Sequence, residues 1–211
     1  MRVLPNGDAA VLVELSDLDE MLALYATLEA DPPPGVADMI PAARTVTLVL
    51  EPGSDPAVVT IAVHGAAEQA RGRPPGAASS GPEAVEIPVV YDGADLDEVA
   101  KLTGLTAGEV VAAHTGTPWR VAFVGFAPGF GYLVGGDPRL RVPRRQVPRV
   151  RVPAGSVALA DEFSGLYPVS SPGGWQLIGR TDMPLWDLER DPPAVLRPGV
   201  HVLFRATSGL W

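Results

Sequence analysis

Residues 123–133 read FVGFAPGFGYL, and residues 152–181 read VPAGSVALADEFSGLYPVSSPGGWQLIGRT. From Arg120 onward, short apolar runs alternate with loops rich in glycine and proline. That alternation predicts a β-barrel or β-sandwich. On either side of these stretches, Val200–Ala206 reads as a final strand and Val85–Tyr91 as a strand at a sheet edge, because Pro88 has no N–H to give a ladder. Between these, Asp95–Thr103 reads as a short helix stopped by Gly104. Thr106 and Glu109 form a T-x-x-E capping box for a second short helix ending near His114.

Further out, RGRPPGAASSGP (71–82) has the composition of a flexible linker. The predicted organisation is an N-terminal domain over 1–71, a linker over 72–84 and a β-barrel domain over 85–211. In the N-terminal part, Ala9–Leu15, Val36–Ile40 and Thr45–Leu50 read as strands. Asp17–Ala30 reads as an amphipathic helix, and Pro56 opens another that runs to about Ala70. The order βαββα implies a small α+β layer.

Composition excludes several classes. The 211 residues carry a net charge of −9 and no cysteine. The charge argues against nucleic acid and anionic membranes as partners. The lack of thiols removes disulfides, thiolate metal sites and a cysteine nucleophile. Lys101 is the sole lysine. No GxxxxGK[ST] phosphate loop exists, and Lys101 lies in a helical pattern rather than on the exposed turn that a biotin carrier uses. With no signal-like N-terminus and no long apolar run, the expectation is a cytoplasmic protein.

Pro138, Pro143, Pro148 and Pro153 recur every five residues, with Arg139, Arg144 and Arg149 after the first three and Arg141, Arg145 and Arg151 between. Prolines at this density predict an extended edge segment. An odd spacing alternates side-chain faces, so the arginines cannot all converge on one ligand. Two readings stand: anion recognition by guanidinium forks, or a charged edge that blocks strand pairing.

In the loop 125–132, three glycines and Pro128 punctuate Phe126, Phe130 and Tyr132, so the rings could wall a pocket while the backbone approaches a ligand. In 171–176, Gly173 and Gly174 suit a tight hairpin turn. Strict alternation after them puts Gln176, Ile178 and Arg180 on one face, where Gln176 and Arg180 would meet an amide or carboxylate. His64, His114 and His201 have no metal-ligand spacing. His114 is the candidate acid–base residue, because a helix C-terminus favours its charged form. Ser156 in PAGSV lacks the GxSxG elbow of a nucleophile.

The run GFAPGFGYL…PR…VPAGSVA…GLYP…SPGGWQLIGRT resembles the KipI family, also called allophanate hydrolase subunit 1, which includes the PxpB subunit of bacterial 5-oxoprolinase. IPVVYDG, LTAGEVVAAHTG, LRPGVHVLF, RVLPNGDAAVLVEL and PGVADMIPAARTVTL extend the resemblance over nearly the whole chain. It implies a small α/β domain followed by a cyclophilin-like, carboxyltransferase-type barrel. It also implies a hetero-oligomeric, ATP-dependent lactam hydrolase that opens 5-oxoproline to glutamate. The implied partners are a KipA-like subunit (PxpC, or allophanate hydrolase subunit 2) and a LamB/YcsF-type subunit (PxpA). ATP is used by the complex rather than held by an evident loop of this chain. The motif positions are Phe126, Pro128, Gly129, Phe130, Tyr132, Pro153, Gly155, Ser156, Pro172, Gly173, Gly174, Trp175, Gln176, Gly179, Arg180 and Thr181. Arg149 joins Gln176 and Arg180 as an expected substrate contact. The alternatives are inhibition of a sensor histidine kinase, as by KipI itself, and half of a urea carboxylase-type carboxyltransferase. One departure stands out: Asp161-Glu162-Phe163-Ser164 replaces an Asn/Gln–Thr turn, and its two acids would repel an anionic ligand there.

Overall fold

The computed structural model describes residues 1–72 and 84–209. Most of the linker expected over 72–84 lies outside the described residues. By internal contacts the chain divides into Met1–Ser80 and Gly81–Trp211.

The first unit is built from β1 (Arg2–Pro5), β2 (Ala10–Glu14), α1 (Leu18–Ala30), β3 (Val36–Pro41), β4 (Thr45–Leu50) and α2 (Pro56–Ala70). Its antiparallel sheet runs β1-β2-β4-β3. Val11 and Val13 of β2, and Val46, Leu48 and Leu50 of β4, are buried on one face, the alternation expected of a sheet with a single covered side. Met21, Leu24 and Leu28 of α1 and Val59 and Val63 of α2 complete this core. Asp17 caps α1 through the amide of Glu20, and Asp55 caps α2 through that of Ala57. The predicted βαββα order gains the edge strand β1. It is only four residues long and ends in proline, so it carries almost no pattern of its own.

The second unit contains β5 (Ala84–Val89), α3 (Leu96–Thr103), α4 (Ala107–Gly116), β6 (Trp119–Val124), β7 (Gly131–Val134), β8 (Arg149–Val152), β9 (Ser156–Ala160), β10 (Phe163–Leu166), β11 (Ser171–Gly173), β12 (Gln176–Arg180) and β13 (His201–Ala206). Seven of these strands form a sheet in the order β12-β9-β10-β7-β6-β13-β5. Its two ends are joined by mutual Val90–Arg180 backbone hydrogen bonds of 2.9 Å, so the sheet is almost a closed barrel. β5 does lie at an edge. The capping box at Thr106 and Glu109 forms, and Gly104 ends α3 in the left-handed conformation.

The barrel interior is filled by Ile87, Val89, Val121, Leu133, Leu159, Leu166, Ile178 and Phe204, with Val99 and Val110 of the helices packed against them. The proline-rich segment, expected to be extended throughout, opens instead on a single 3-10 turn, Pro138–Leu140, capped by Asp137 through the amide of Arg139. Its C-terminal part, β8, pairs with β11 in a separate two-stranded ribbon. Gly173 therefore sits in a strand opposite Arg149, not in a hairpin turn. The chain leaves the ribbon at Gly174 and enters the barrel sheet at Gln176.

Candidate functional site

The residues flagged by sequence separate into an interior set and an outer set. His114 belongs to the interior. It is completely buried, and burial lowers its pKa to about 3, so the ring is neutral. This overturns the expectation that the helix terminus keeps it charged: desolvation outweighs the helix dipole. Ser164 Oγ donates to the Ala158 carbonyl (3.4 Å) and lies 2.8 Å from His114 Nε2, while Tyr91 Oη lies 2.7 Å from Nδ1. One tautomer fits all three: Nε2–H donates to Ser164, and Nδ1 accepts from Tyr91. Phe204 stacks on the ring at 4.2 Å. Every polar atom of the His114 ring is thus partnered inside the core, which leaves it no route to a ligand.

The outer set lies on the opposite face of the same sheet. Tyr132 is opposite Gly165, whereas its neighbour Leu133, opposite Ser164, points into the barrel. On the outer face Phe130 meets Trp175, Tyr167 and Tyr132 edge-on, with ring centroids 5.1–5.5 Å apart, and Phe163 meets Tyr132 at 5.5 Å. Gly165 makes room for them: a Cβ there would stand 2.7 Å from Trp175 and 2.9 Å from Phe130. The Arg144 guanidinium sits 5.8 Å from the centre of the Trp175 ring. Burial raises the phenol pKa values of Tyr132 and Tyr167.

Phe126 stands at the lip of this wall. It is 61% exposed and holds a left-handed φ of 68°, a conformation that L-residues adopt at a cost. Its ring reaches Phe130 on one side. On the other it lines a shallow apolar groove with Pro128, Gly129 and Trp186.

The arginines scatter, as the five-residue spacing requires. Arg139 pairs with Asp137, Arg141 with Glu162, and Arg144 with Asp161 at 3.8 Å. The two acids of the 161–164 turn thus face the ladder. Arg145 and Arg149, four residues apart, converge. Arg145 Nη1 and Arg149 Nη2 each donate to Oδ1 of Asp95 at 2.7 Å, and the amide of Leu177 donates to Oδ2 at 2.7 Å. Burial alone would raise the Asp95 carboxyl. The bonds from Arg149 and Leu177 and the charges of both arginines outweigh it and hold the pKa below the usual range. Asp95 occupies the N-cap position of α3, yet makes no side-chain cap bond.

Gln176 adjoins this triad. Its Nε2 donates to the Pro143 carbonyl at 3.1 Å, and its Oε1 is buried without a partner. Arg180 is elsewhere. A register shift between Leu177 and Gly179 places Gln176 opposite Leu159 and Arg180 opposite Ser156. Positions 156 and 159 of β9 face opposite sides, so Gln176 and Arg180 do too, against the expectation of strict alternation. Arg180 pairs with exposed Asp92 at 2.9 Å. Ser156 Oγ donates to the Pro153 carbonyl, and Thr181 Oγ1 accepts from the Met183 amide. Gly155, at a φ of 78°, packs under the Thr181 carbonyl. These three hold the turn together.

Sequence reasoning missed Asp95 and Tyr167, and read Arg144 and Arg145 only as members of the proline–arginine ladder. Asp95 carries the signal of an ordinary helix cap, and its partners lie 50 and 54 positions away. Among the described residues no cluster of His, Asp and Glu could hold a metal ion, and no helix is long and apolar enough to cross a membrane.

Residues 1–196 match the family model "Carboxyltransferase domain, subdomain C and D". The chain belongs to this family. It is 46% identical over 123 residues to the B subunit of 5-oxoprolinase from Bacillus subtilis, covering 57% of this chain and 51% of that protein. It is 48% identical over 123 residues to the B subunit of the same enzyme from Escherichia coli O157:H7, covering 57% and 56%. The chain thus spans just over half the length of the curated relatives it matches. Among solved structures, PH0987 from Pyrococcus horikoshii is 31% identical, with a TM-score of 0.57 over 98% of this chain and 97% of that one. TTHA0988 is 36% identical, with a TM-score of 0.74, over 95% of this chain but only 40% of its own. The urea carboxylase of Kluyveromyces lactis shares the fold at 17% identity and a TM-score of 0.77, over 98% of this chain and 22% of its own.

Proposed function

We propose that this chain is the B-type subunit of a 5-oxoprolinase, contributing the binding half of a composite site that opens the lactam of 5-oxoproline to glutamate. One observation carries the reading beyond the kinship with proteins of that name. The outer wall is a packed set of aromatic rings flanked by Arg144, and among the described residues no histidine lies in it. Phe126, exposed at its lip, and Arg144 beside Trp175 offer a flat lactam an apolar face and a cation, whereas the histidine of this sheet region, His114, is locked neutral inside the barrel. Ring opening needs water added across the C–N bond and a proton delivered to the leaving nitrogen. Those groups come from a second chain, a KipA-like (PxpC-type) subunit, with a LamB/YcsF-type (PxpA-type) subunit completing the complex. Relatives in which the matching unit is a minor part of a longer chain support such a division of labour.

ATP belongs with the partners. The basic strip is a poor triphosphate cradle, because Arg139, Arg141, Arg144, Arg145 and Arg149 each face a carboxylate of this chain.

The test is reconstitution with both partner subunits from the same genome, with and without ATP, followed by measurement of glutamate release. The expected result is negligible release from the chain alone and ATP-dependent release from the complete mixture. Full activity of the isolated chain, or none from the verified complex, overturns the proposal.

A further inference from the structure

The ladder arginines are not held alike. Arg139 meets Asp137 at 2.6 Å, and Arg145 and Arg149 meet the buried Asp95 carboxylate at 2.7 Å. Arg144 has the loosest of the ladder's ion pairs. Its Nε lies 3.8 Å from Asp161 Oδ2, and both side chains are more than half exposed. Among the described residues, Arg144 is also the one cation that sits over an aromatic ring, that of Trp175. Its charge reaches the Tyr132 and Tyr167 phenols, where it opposes the rise that burial causes. Arg144 is therefore the cation of the aromatic wall. Among the described residues, Asp161 is the one acid within ion-pair distance of it.

Asp161 is fixed where Arg144 is not. It opens the two-residue turn between β9 and β10, since Ala160 pairs with Phe163. Its amide donates to the Val142 carbonyl at 2.7 Å, which pins the turn beside the segment that carries Arg144. Its φ of 51° is left-handed, a region that Gly and Asn enter as readily as Asp. The turn itself needs no charge. What the carboxylate adds is an acid beside Arg144. A pair at 3.8 Å between exposed groups is weak, so a second carboxylate arriving from solvent can take its place.

We infer that Asp161 sets the anion selectivity of this site by competing with a ligand's carboxylate for Arg144. The long Arg144 side chain turns from the pinned acid to the ligand, and its planar fork then meets the ligand's carboxylate. Asp161 acts through Arg144, so its influence disappears when Arg144 is removed. Glu162 takes no part, because it faces Arg141. The inference rests on the proposed function for the identity of the ligand, a lactam acid, and adds the residue that tunes its binding.

The experiment is direct binding to the full chain, by calorimetry or saturation-transfer NMR, with 5-oxoproline and its neutral analogue 2-pyrrolidinone. Asp161→Asn removes the charge and keeps a residue that tolerates the left-handed turn. It is expected to strengthen 5-oxoproline about threefold, the scale of an exposed ion pair, and to leave 2-pyrrolidinone unchanged. Asp161→Gly, which suits the turn still better, is expected to do the same. Thermal melts confirm that the variants are folded. Arg144→Gln is expected to weaken 5-oxoproline about tenfold, and adding Asp161→Asn to it to restore nothing. A threefold gain that persists without Arg144 shows direct repulsion and overturns the inference. So does a gain shared by 2-pyrrolidinone, 5-oxoproline binding that neither Asp161 variant strengthens, or no binding of 5-oxoproline at roughly 10 mM, the regime of weak ligands. The expected pattern together with a reconstituted complex that releases no glutamate retains the role of Asp161 and removes the functional reading. Glutamate release with binding unmoved by the variants does the reverse.

Discussion

The interior of the barrel and its seam solve the same problem differently. Inside, His114, Tyr91 and Ser164 bury three polar side chains and satisfy them, with one tautomer consistent with every distance. Near the ribbon, Asp95 satisfies itself completely, but its arginines and Gln176 do not. A closed polar network fixes one packing arrangement of a core. The seam leaves part of its hydrogen-bonding capacity unused. Burial and an altered pKa therefore do not distinguish structure from function here, although His114 is strongly perturbed.

The severest test of this contrast is Asp95→Ala. It strands two guanidinia and the Leu177 amide, and should cost about 3 kcal/mol in urea unfolding, the lower end for a broken buried pair because both arginines reach solvent. A loss under about 0.5 kcal/mol, the scale of a surface change, would make the triad incidental. Next is His114→Phe, expected to cost about 2 kcal/mol at pH 7 by orphaning Tyr91. It carries a second signature. The folded pKa, about 3, lies below the ordinary 6.5. The neutral ring's contribution is thus complete above 6.5 and is lost as pH falls towards 3. Wild-type stability should drop by about 1.4 kcal/mol per pH unit more steeply than the variant across that window. Parallel pH profiles would show that the ring is not held neutral. Gly165→Ala pushes a methyl against Trp175 and Phe130 and should cost about 1–2 kcal/mol, with weaker binding of 5-oxoproline. Unchanged binding would detach the aromatic wall from the site. Smallest is Arg180→Ala: an exposed pair with Asp92 predicts a change under about 0.5 kcal/mol and no change in ligand affinity. A large loss of affinity would restore Arg180 as a ligand contact.

Local chemistry made much of the architecture readable. Thr106 and Glu109 announced a capping box, Gly104 a helix stop and Pro88 an edge. The five-residue spacing of Arg139, Arg144 and Arg149 announced their divergence. What could not be read was set by pairing at long range. The extra residue between Leu177 and Gly179 turns Arg180 away from Gln176, and nothing in QLIGR signals a bulge. Asp95 looks like a cap because its neighbours form a helix. Its true partners are chosen by the ribbon, which brings Arg145 and Arg149 back across the barrel seam. The charge of His114 depended on whether its helix end was buried, a tertiary fact.

The seam is also a mechanical element. Beyond the Val90–Arg180 pair, it continues through Gly93 on Ile178 and Asp95 on Leu177, so the residue that aligns the arginines is also the last stitch closing the barrel. Removing the Asp95 carboxylate would therefore loosen that closure. Faster amide exchange at Leu177 and Arg180 in Asp95→Ala would report the seam's strength as resistance to opening.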